Sequence, residues 1–297
     1  MSERSETEGK TARGRPRWVA GRALAACVTA AGLAAAPAVA QSNIDPGDTG
    51  SRYAWSENAG WLNARPLGAG GPGVLVTDFA LTGYLWAENV GWVNLSCRNR
   101  GTCAAAPFGV LNDGQGHLSG FAWGENVGWI DFGPTGGGVT IDPATGIFSG
   151  SAWGENIGWI SFAGTGPVPF AIETAWRCSP APPPPAGVPR LTLHGVPEGT
   201  RLDWSTLSGV TAYDVVRGDL RTLASSGGDF ATAVTGCEAR RIAASTLLTT
   251  LTPSPAGGFF YLVRGANCGA AGTFDSGGPG QVGSRDGEIA ASPNRCP

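Results

Sequence analysis

Ser151–Ile160 reads SAWGENIGWI, and three earlier stretches repeat it: YAWSENAGWL at Tyr53–Leu62, YLWAENVGWV at Tyr84–Val93 and FAWGENVGWI at Phe121–Ile130. The shared core is W-x-E-N-x-G-W. Its first Trp falls at Trp55, Trp86, Trp123 and Trp153, so the copies start 31, 37 and 30 residues apart. A recurring period of this size signals a repeat architecture, in which one unit cannot bury its own apolar face and neighbours share a core. The longest interval contains Cys97 and Cys103, whose locally closed loop accounts for the extra residues.

The unit reads as strands and turns. In the last copy Val139–Asp142 is a short strand. Pro143–Gly146 is a turn in which Pro presets φ and Gly takes a left-handed position. Ile147–Trp153 is a second strand, and Gly154–Asn156 turns again. Gly158–Phe162 alternates as a third strand, with Trp159 and Ser161 on one face and Ile160 and Phe162 on the other. Each unit is therefore expected to be a three-stranded meander. The first unit has no evident leading strand and is expected to act as a cap. Asn112–Gly116 and Asp142–Gly146 lack the alternating oxygen ligands of a calcium loop and read as hairpin turns.

The motif side chains carry two readings. Trp55, Trp61, Trp86, Trp92, Trp123, Trp129, Trp153 and Trp159 are either core pillars stacking between units or an exposed ladder that stacks on the rings of a polysaccharide. Glu57, Glu88, Glu125 and Glu155 are made equivalent by the repetition. A glycosidase needs two carboxylates in unlike environments, which such a set does not supply. These Glu are expected to accept backbone N–H groups within their turns, with calcium or sugar binding as the rival reading. Asn58, Asn89, Asn126 and Asn156 are expected to hold left-handed positions.

Composition narrows the function classes. The chain has 48 Gly and 22 Pro, which disfavour long helices, and its 11 Trp and 11 Phe supply the buried area that a folded β protein requires. The first 40 residues hold six of the 20 basic and three of the 23 acidic residues, so the remainder is net acidic by about six. No basic patch follows, and nucleic acid is not an expected partner. Lys10 is the only lysine, which leaves the rest of the chain without Schiff-base or Walker-type chemistry. His117 and His194 are far apart in sequence, and neither is accompanied by a G-x-S-x-G elbow. No enzyme, cofactor or metal is expected. Asp78, Asp113 and Asp131 are the carboxylates that folding alone could still bring into a cleft.

Residues 1–40 read as a secretory signal peptide: a basic start with Arg13, Arg15, Arg17 and Arg22, an apolar run from Ala23, and a small-residue end at Ala38–Ala40. The rival readings are an uncleaved anchor and a lipoprotein acylated at Cys27. No stable membrane span is expected after cleavage. Cys97, Cys103, Cys178, Cys237, Cys268 and Cys296 remain, an even number that suits disulfides in an exported chain. Cys97–Cys103 is the pair that sequence supports; Cys237–Cys268 and, by elimination, Cys178–Cys296 are the working guesses for the others. Residues 179–189 are a Pro-rich linker, expected to be an extended, semi-rigid spacer.

The motif resembles the AW-x-EN-x-GW repeats of exported bacterial proteins, which often stand beside adhesion-type modules. The resemblance covers roughly residues 44–176 and implies no activity. After the linker, short strands continue without repetition. Leu202–Trp204, Tyr213–Arg217 and Tyr261–Asn267 resemble strands B, C and F of a fibronectin type III domain, with its strand B tryptophan and core tyrosine. The Cys residues and an insertion around residues 219–245 depart from that pattern. Arg217–Asp219 spells Arg-Gly-Asp and is read as coincidence.

The expected fold class is all-β: a Trp-rich repeat domain over 41–178, the linker over 179–189, and a fibronectin type III-like β-sandwich over 190–297. The expected function is a secreted or cell-surface structural or interaction protein of the adhesion type, without catalytic activity. A carbohydrate-binding protein using the repeat Trp is the competing class. The partners anticipated are extracellular polysaccharide or surface proteins. Self-association through edge strands of the repeat sheet is also anticipated. Location is expected to be extracellular or in the cell envelope.

Overall fold

A computed structural model describes residues 42–66, 73–281 and 283–297. The signal-peptide segment and Cys27 lie outside the described residues. Strand exceeds helix 42% to 8%, so the all-β expectation holds, and the sheets include an eight-stranded barrel.

Each W-x-E-N-x-G-W stretch is a tight hairpin. The strands are β1 (Tyr53–Ser56) and β2 (Gly60–Asn63). After the short β3 (Leu75–Val76) and β4 (Ala80–Thr82) come β5 (Tyr84–Ala87) and β6 (Gly91–Asn94). β7 (Val110–Asn112) precedes β8 (Leu118–Gly124) and β9 (Gly128–Asp131), and β10 (Gly138–Ile141) precedes β11 (Phe148–Gly154) and β12 (Gly158–Ser161). The four hairpins pair side to side, β2 with β5, β6 with β8, β9 with β11 and β12 with β1, all antiparallel. The last contact closes the ring. β3, β4, β7 and β10 extend the sheet at the barrel's other end.

Ring closure gives the first unit its leading strand. Val74, Val110 and Val139 donate backbone N–H groups to Ala64, Leu95 and Phe132, and each opens the leading strand of the following unit. Ile172 does the same to Phe162, then pairs with Arg52 of the first unit. The segment around β13 (Ala163–Gly164) and β14 (Phe170–Ala171) thus returns to complete unit one. That unit is not a cap. The motif hairpins pair with one another around the ring, and the sheet path ends on β3, two residues long, and β10, four residues long.

Inside the ring the side chains are small near the turns and larger below. Ala54, Ala122, Ala152, Leu62, Val93, Ile130 and Ile160 are buried, above a cluster of Phe132, Phe148, Phe162, Ile44 and Ile172. Gly83, Gly120 and Gly150 stand where two segments cross. Each has positive φ, and a Cβ there would collide with the carbonyl oxygen of Gly73, Gly109 or Gly138.

The C-terminal part has two three-stranded sheets. One contains β15 (Leu191–Val196), β16 (Gly199–Trp204) and β19 (Thr246–Thr249). The other contains β17 (Ala212–Asp219), β18 (Val234–Ile242) and β20 (Phe259–Ala266). Leu202 and Trp204 from the first meet Tyr213, Val215 and Val263 from the second. Where an insertion was anticipated, two short helices, α1 (Leu220–Ser225) and α2 (Phe230–Ala233), connect β17 to β18. A third, α3 (Arg285–Ala291), packs Ile289 into a second small cluster with Val216, Val234 and Phe274.

Three disulfides form: Cys97–Cys103, Cys178–Cys268 and Cys237–Cys296. The first agrees with the sequence; the other two replace the guessed pairs Cys237–Cys268 and Cys178–Cys296. The correction has a plain cause, since Cys268 follows β20 at the end nearest the barrel, while Cys296 returns to β18 after α3. The linker also differs from expectation. Cys178 and Ser179 donate to the Pro143 carbonyl at 2.9 and 3.1 Å, and Asn267 Nδ2 donates to that of Pro183 at 2.8 Å. Pro185 and Pro189 are buried, so the segment is docked rather than a free spacer. Asp78, in the β3–β4 turn, fastens the junction. Its carboxylate accepts from Trp176 Nε1 at 2.8 Å, Thr211 Oγ1 at 2.5 Å and the Cys268 N–H at 3.0 Å.

Two outcomes follow for stability. Gly150→Ala should cost at least about 2 kcal/mol, because it adds both strain and overlap, and a chemical denaturation curve would show it. The second concerns acid. Burial pushes the Asp45 carboxyl up, but hydrogen bonds from Thr49, Gly50 and Ser51 outweigh it and hold its pKa below the usual 3.8. Asp113 is lowered in the same way by Gln115 and His117. Groups depressed on folding stabilise fully above the unfolded value and lose that contribution as pH falls through the folded one. The melting temperature should therefore be nearly flat from neutral pH to about 5 and drop below about pH 4.

Candidate functional site

The barrel assigns a structural task to most of the motif. The residue after the first Trp is Ser56, Ala87, Gly124 or Gly154, and the residue after Asn is Ala59, Val90, Val127 or Ile157. The two are matched in size. A Cβ on Gly124 would overlap Val127 Cγ2, and one on Gly154 would overlap Ile157 Cγ1, because the turn folds its apolar residue back into the barrel mouth. The following Gly (Gly60, Gly91, Gly128, Gly158) takes φ between 70 and 85°.

Asn has a different role from the one expected. None of Asn58, Asn89, Asn126 and Asn156 has positive φ; that conformation belongs to the glycine two residues on. Instead the side-chain amide latches onto the neighbouring unit. Asn156 donates to the Val127 carbonyl at 3.1 Å, Asn126 to that of Val90 at 3.0 Å, and Asn58 to that of Ile157 at 3.1 Å. The link from Asn58 to Ile157 crosses the closing seam between the first and last units.

Glu57, Glu88, Glu125 and Glu155 are all exposed, and none accepts a turn N–H among the described residues, contrary to expectation. The nearest cationic partner is Arg100, 3.7 Å from Glu125. The four carboxylates rim the barrel at the end away from the C-terminal sheets. Among the described residues no group of three or more His, Cys, Asp or Glu is placed to hold a metal ion.

The tryptophans are not core pillars. They project from the outer wall because Ala and Leu at alternate positions fill the narrow interior. Each pair faces across its own hairpin, edge to face: Trp55–Trp61 at 4.8 Å, Trp86–Trp92 at 4.9 Å, Trp123–Trp129 at 4.7 Å and Trp153–Trp159 at 5.0 Å. Seven are 36–45% exposed, while Trp61 is partly covered by Phe170 at 5.1 Å. Tyr53, Tyr84 and Phe121, opening three of the quoted stretches, extend the aromatic surface at 6.0–6.2 Å from Trp61, Trp92 and Trp129. The repeat itself marks these three, since each opens its copy of the motif.

Two depressions lie on this wall. One of about 480 Å³ is lined by Tyr53, Trp61 and Phe170 together with Thr49, Ser51 and Glu88. It places the carboxylate of the second unit beside the aromatic rings of the first. The other, about 400 Å³, lies between Asn63, Pro66, Trp86 and Trp92. The residual catalytic candidates do not converge. Asp78 is held in the junction, and Asp113 bonds His117 Nδ1 at 2.8 Å within its own turn. The Asp131 carboxylate accepts the Gly133 N–H at 2.9 Å.

No protein-family model matches the chain, and no curated protein or solved structure matches it.

The division of roles within the motif is measurable. Asn126→Ala or Asn156→Ala should each lower stability by about 1 kcal/mol through a lost inter-unit hydrogen bond. Glu155→Gln should change it by less than about 0.5 kcal/mol, as for an exposed side chain without partners. Urea denaturation of the three variants distinguishes them.

Proposed function

We propose that this chain is an exported, non-catalytic binding protein of the adhesion type, with the tryptophan wall of its barrel as the recognition surface. One observation carries the reading. Once each motif residue is matched to a structural task, the Glu remain without one, and the Trp pack only against one another and a few neighbouring aromatic rings on the same outer wall. These are the residues that stand together on the outside. Single exposed aromatics need no explanation, but eight paired indoles around one ring form a patch of the kind that marks an interaction site.

Polysaccharide is the occupant this chemistry favours. Aromatic faces accept the apolar faces of sugar rings, and Glu88, Thr49 and Ser51 beside Trp61 offer hydroxyl partners. The repeated order around the ring would present similar sites to a repeating polymer and add avidity. A membrane-spanning role is disfavoured by dimensions. Barrel strands of four to seven residues rise about 13 to 23 Å, short of the ~30 Å hydrocarbon core, and the interior is apolar.

The C-terminal module fits a fibronectin type III-like sandwich, supported by its two sheets and by Trp204 facing Tyr213 at 5.7 Å. The helices and Cys237–Cys296 depart from that plan. Export is supported by three disulfides, which persist in oxidising surroundings, and by the signal-like first 40 residues. No helix of the described residues is long and apolar enough to cross a membrane.

Titrating the chain over residues 42–297 with bacterial and plant polysaccharides should quench or blue-shift its tryptophan emission saturably. Trp123→Ala with Trp153→Ala should weaken that response at least tenfold while the far-ultraviolet spectrum is retained. Unchanged emission with every polysaccharide would remove the sugar reading.

A further inference from the structure

A third depression, of about 190 Å³, lies at the other end of the barrel, where it meets the C-terminal sheets. Phe79 and Ser119 come from the barrel, Arg98 from the Cys97–Cys103 loop, and Arg240 and Arg241 from β18; Asp113 stands at the side. That space admits a charged group with its attached atoms. Clefts between modules are favoured places for small ligands.

Its charge is unbalanced. The chain is net acidic, yet three guanidinium groups border one opening. Among the described residues, Arg98 and Arg240 have no carboxylate within ion-pair range, and their side chains donate no hydrogen bond. Arg241 is held tightly. Its φ is 50°, in a bulge where the register against β17 shifts, and its guanidinium stacks on Phe79 at 4.6 Å. Its Nε lies 3.6 Å from Asp214, but Nη1 is buried with no hydrogen-bond partner.

Asp214 cannot neutralise this group alone, since it also pairs with Arg264 at 3.1 Å. The Asp113 oxygens are occupied within its own turn by Gln115 and His117. Burial lowers the Arg241 pKa; Asp214 opposes this, and Arg264 and Arg240 add to the lowering. That is the behaviour of a cation with too little negative charge around it.

We infer that this cleft binds an oxyanion, a carboxylate, sulfate or phosphate group carried by a small ligand or by one residue of an acidic polymer. Guanidinium forks match such groups bidentately, and Ser119 adds a hydroxyl donor. The site is independent of the tryptophan wall.

Isothermal titration of the chain over residues 42–297, disulfides intact, tests this with sodium phosphate, sodium sulfate and sodium glucuronate, at ionic strength matched with chloride. Glucose serves as the uncharged control. At least one oxyanion should bind saturably and glucose should not, and the anion preferred identifies the source of the charge. Arg98→Ala and Arg240→Ala should each weaken binding at least tenfold, and the Lys variants should retain part of it. Both side chains are exposed, so the melting temperatures of the free proteins should match the unsubstituted chain. No saturable heat with any of the three anions, or binding indifferent to both alanine substitutions, would overturn the inference.

Discussion

The narrowness of the barrel governs the rest of the structure. Eight short strands closed into a ring leave little space inside, so the inward positions beside each turn must be small and the turn's own apolar residue must plug the mouth. Gly124 with Val127 and Gly154 with Ile157 show the size matching at atomic contact. Since the interior has no space for indoles, they are displaced outward, and the surface chemistry is a by-product of how the core is filled. The same closure makes the fourth unit neighbour to the first. Ile172 can then act as a leading strand for residues more than a hundred positions earlier.

The hairpins are legible in the sequence, whereas their closure into a barrel is not. Period, hairpin turns and strand alternation could be read from four copies of one phrase, because each depends on residues close together in the chain. That Trp159 and Ile160 lie on opposite faces follows from period two alone. Which face was wet did not follow. Large aromatics usually fill cores, and only the ring's diameter reverses that preference. The role of the asparagines is hidden for a related reason: their bonds run between units, and the distance from Asn58 to Ile157 along the chain gives no local signal.

The junction was less legible. The Asp78 contacts span 98, 133 and 190 positions, and nothing in the turn around it announces three incoming donors. Proline content does not reveal whether a linker is free or docked, because the bonds that dock residues 178–185 come from Pro143 and Asn267, far along the chain. The disulfides were limited similarly. Cys97 and Cys103 are neighbours in sequence, whereas the partners of Cys178 and Cys296 depend on where β20 and α3 bring the chain.

Cys178–Cys268 encloses the linker and most of the C-terminal sheets in one covalent loop. A single peptide-bond cut anywhere between those two residues would therefore leave every fragment tethered to the barrel. Where a protease does cut the linker, the proline stretch ceases to be the place where the two modules come apart. A nicked chain keeps its full mass and both its modules until the sulfur bridge itself is reduced.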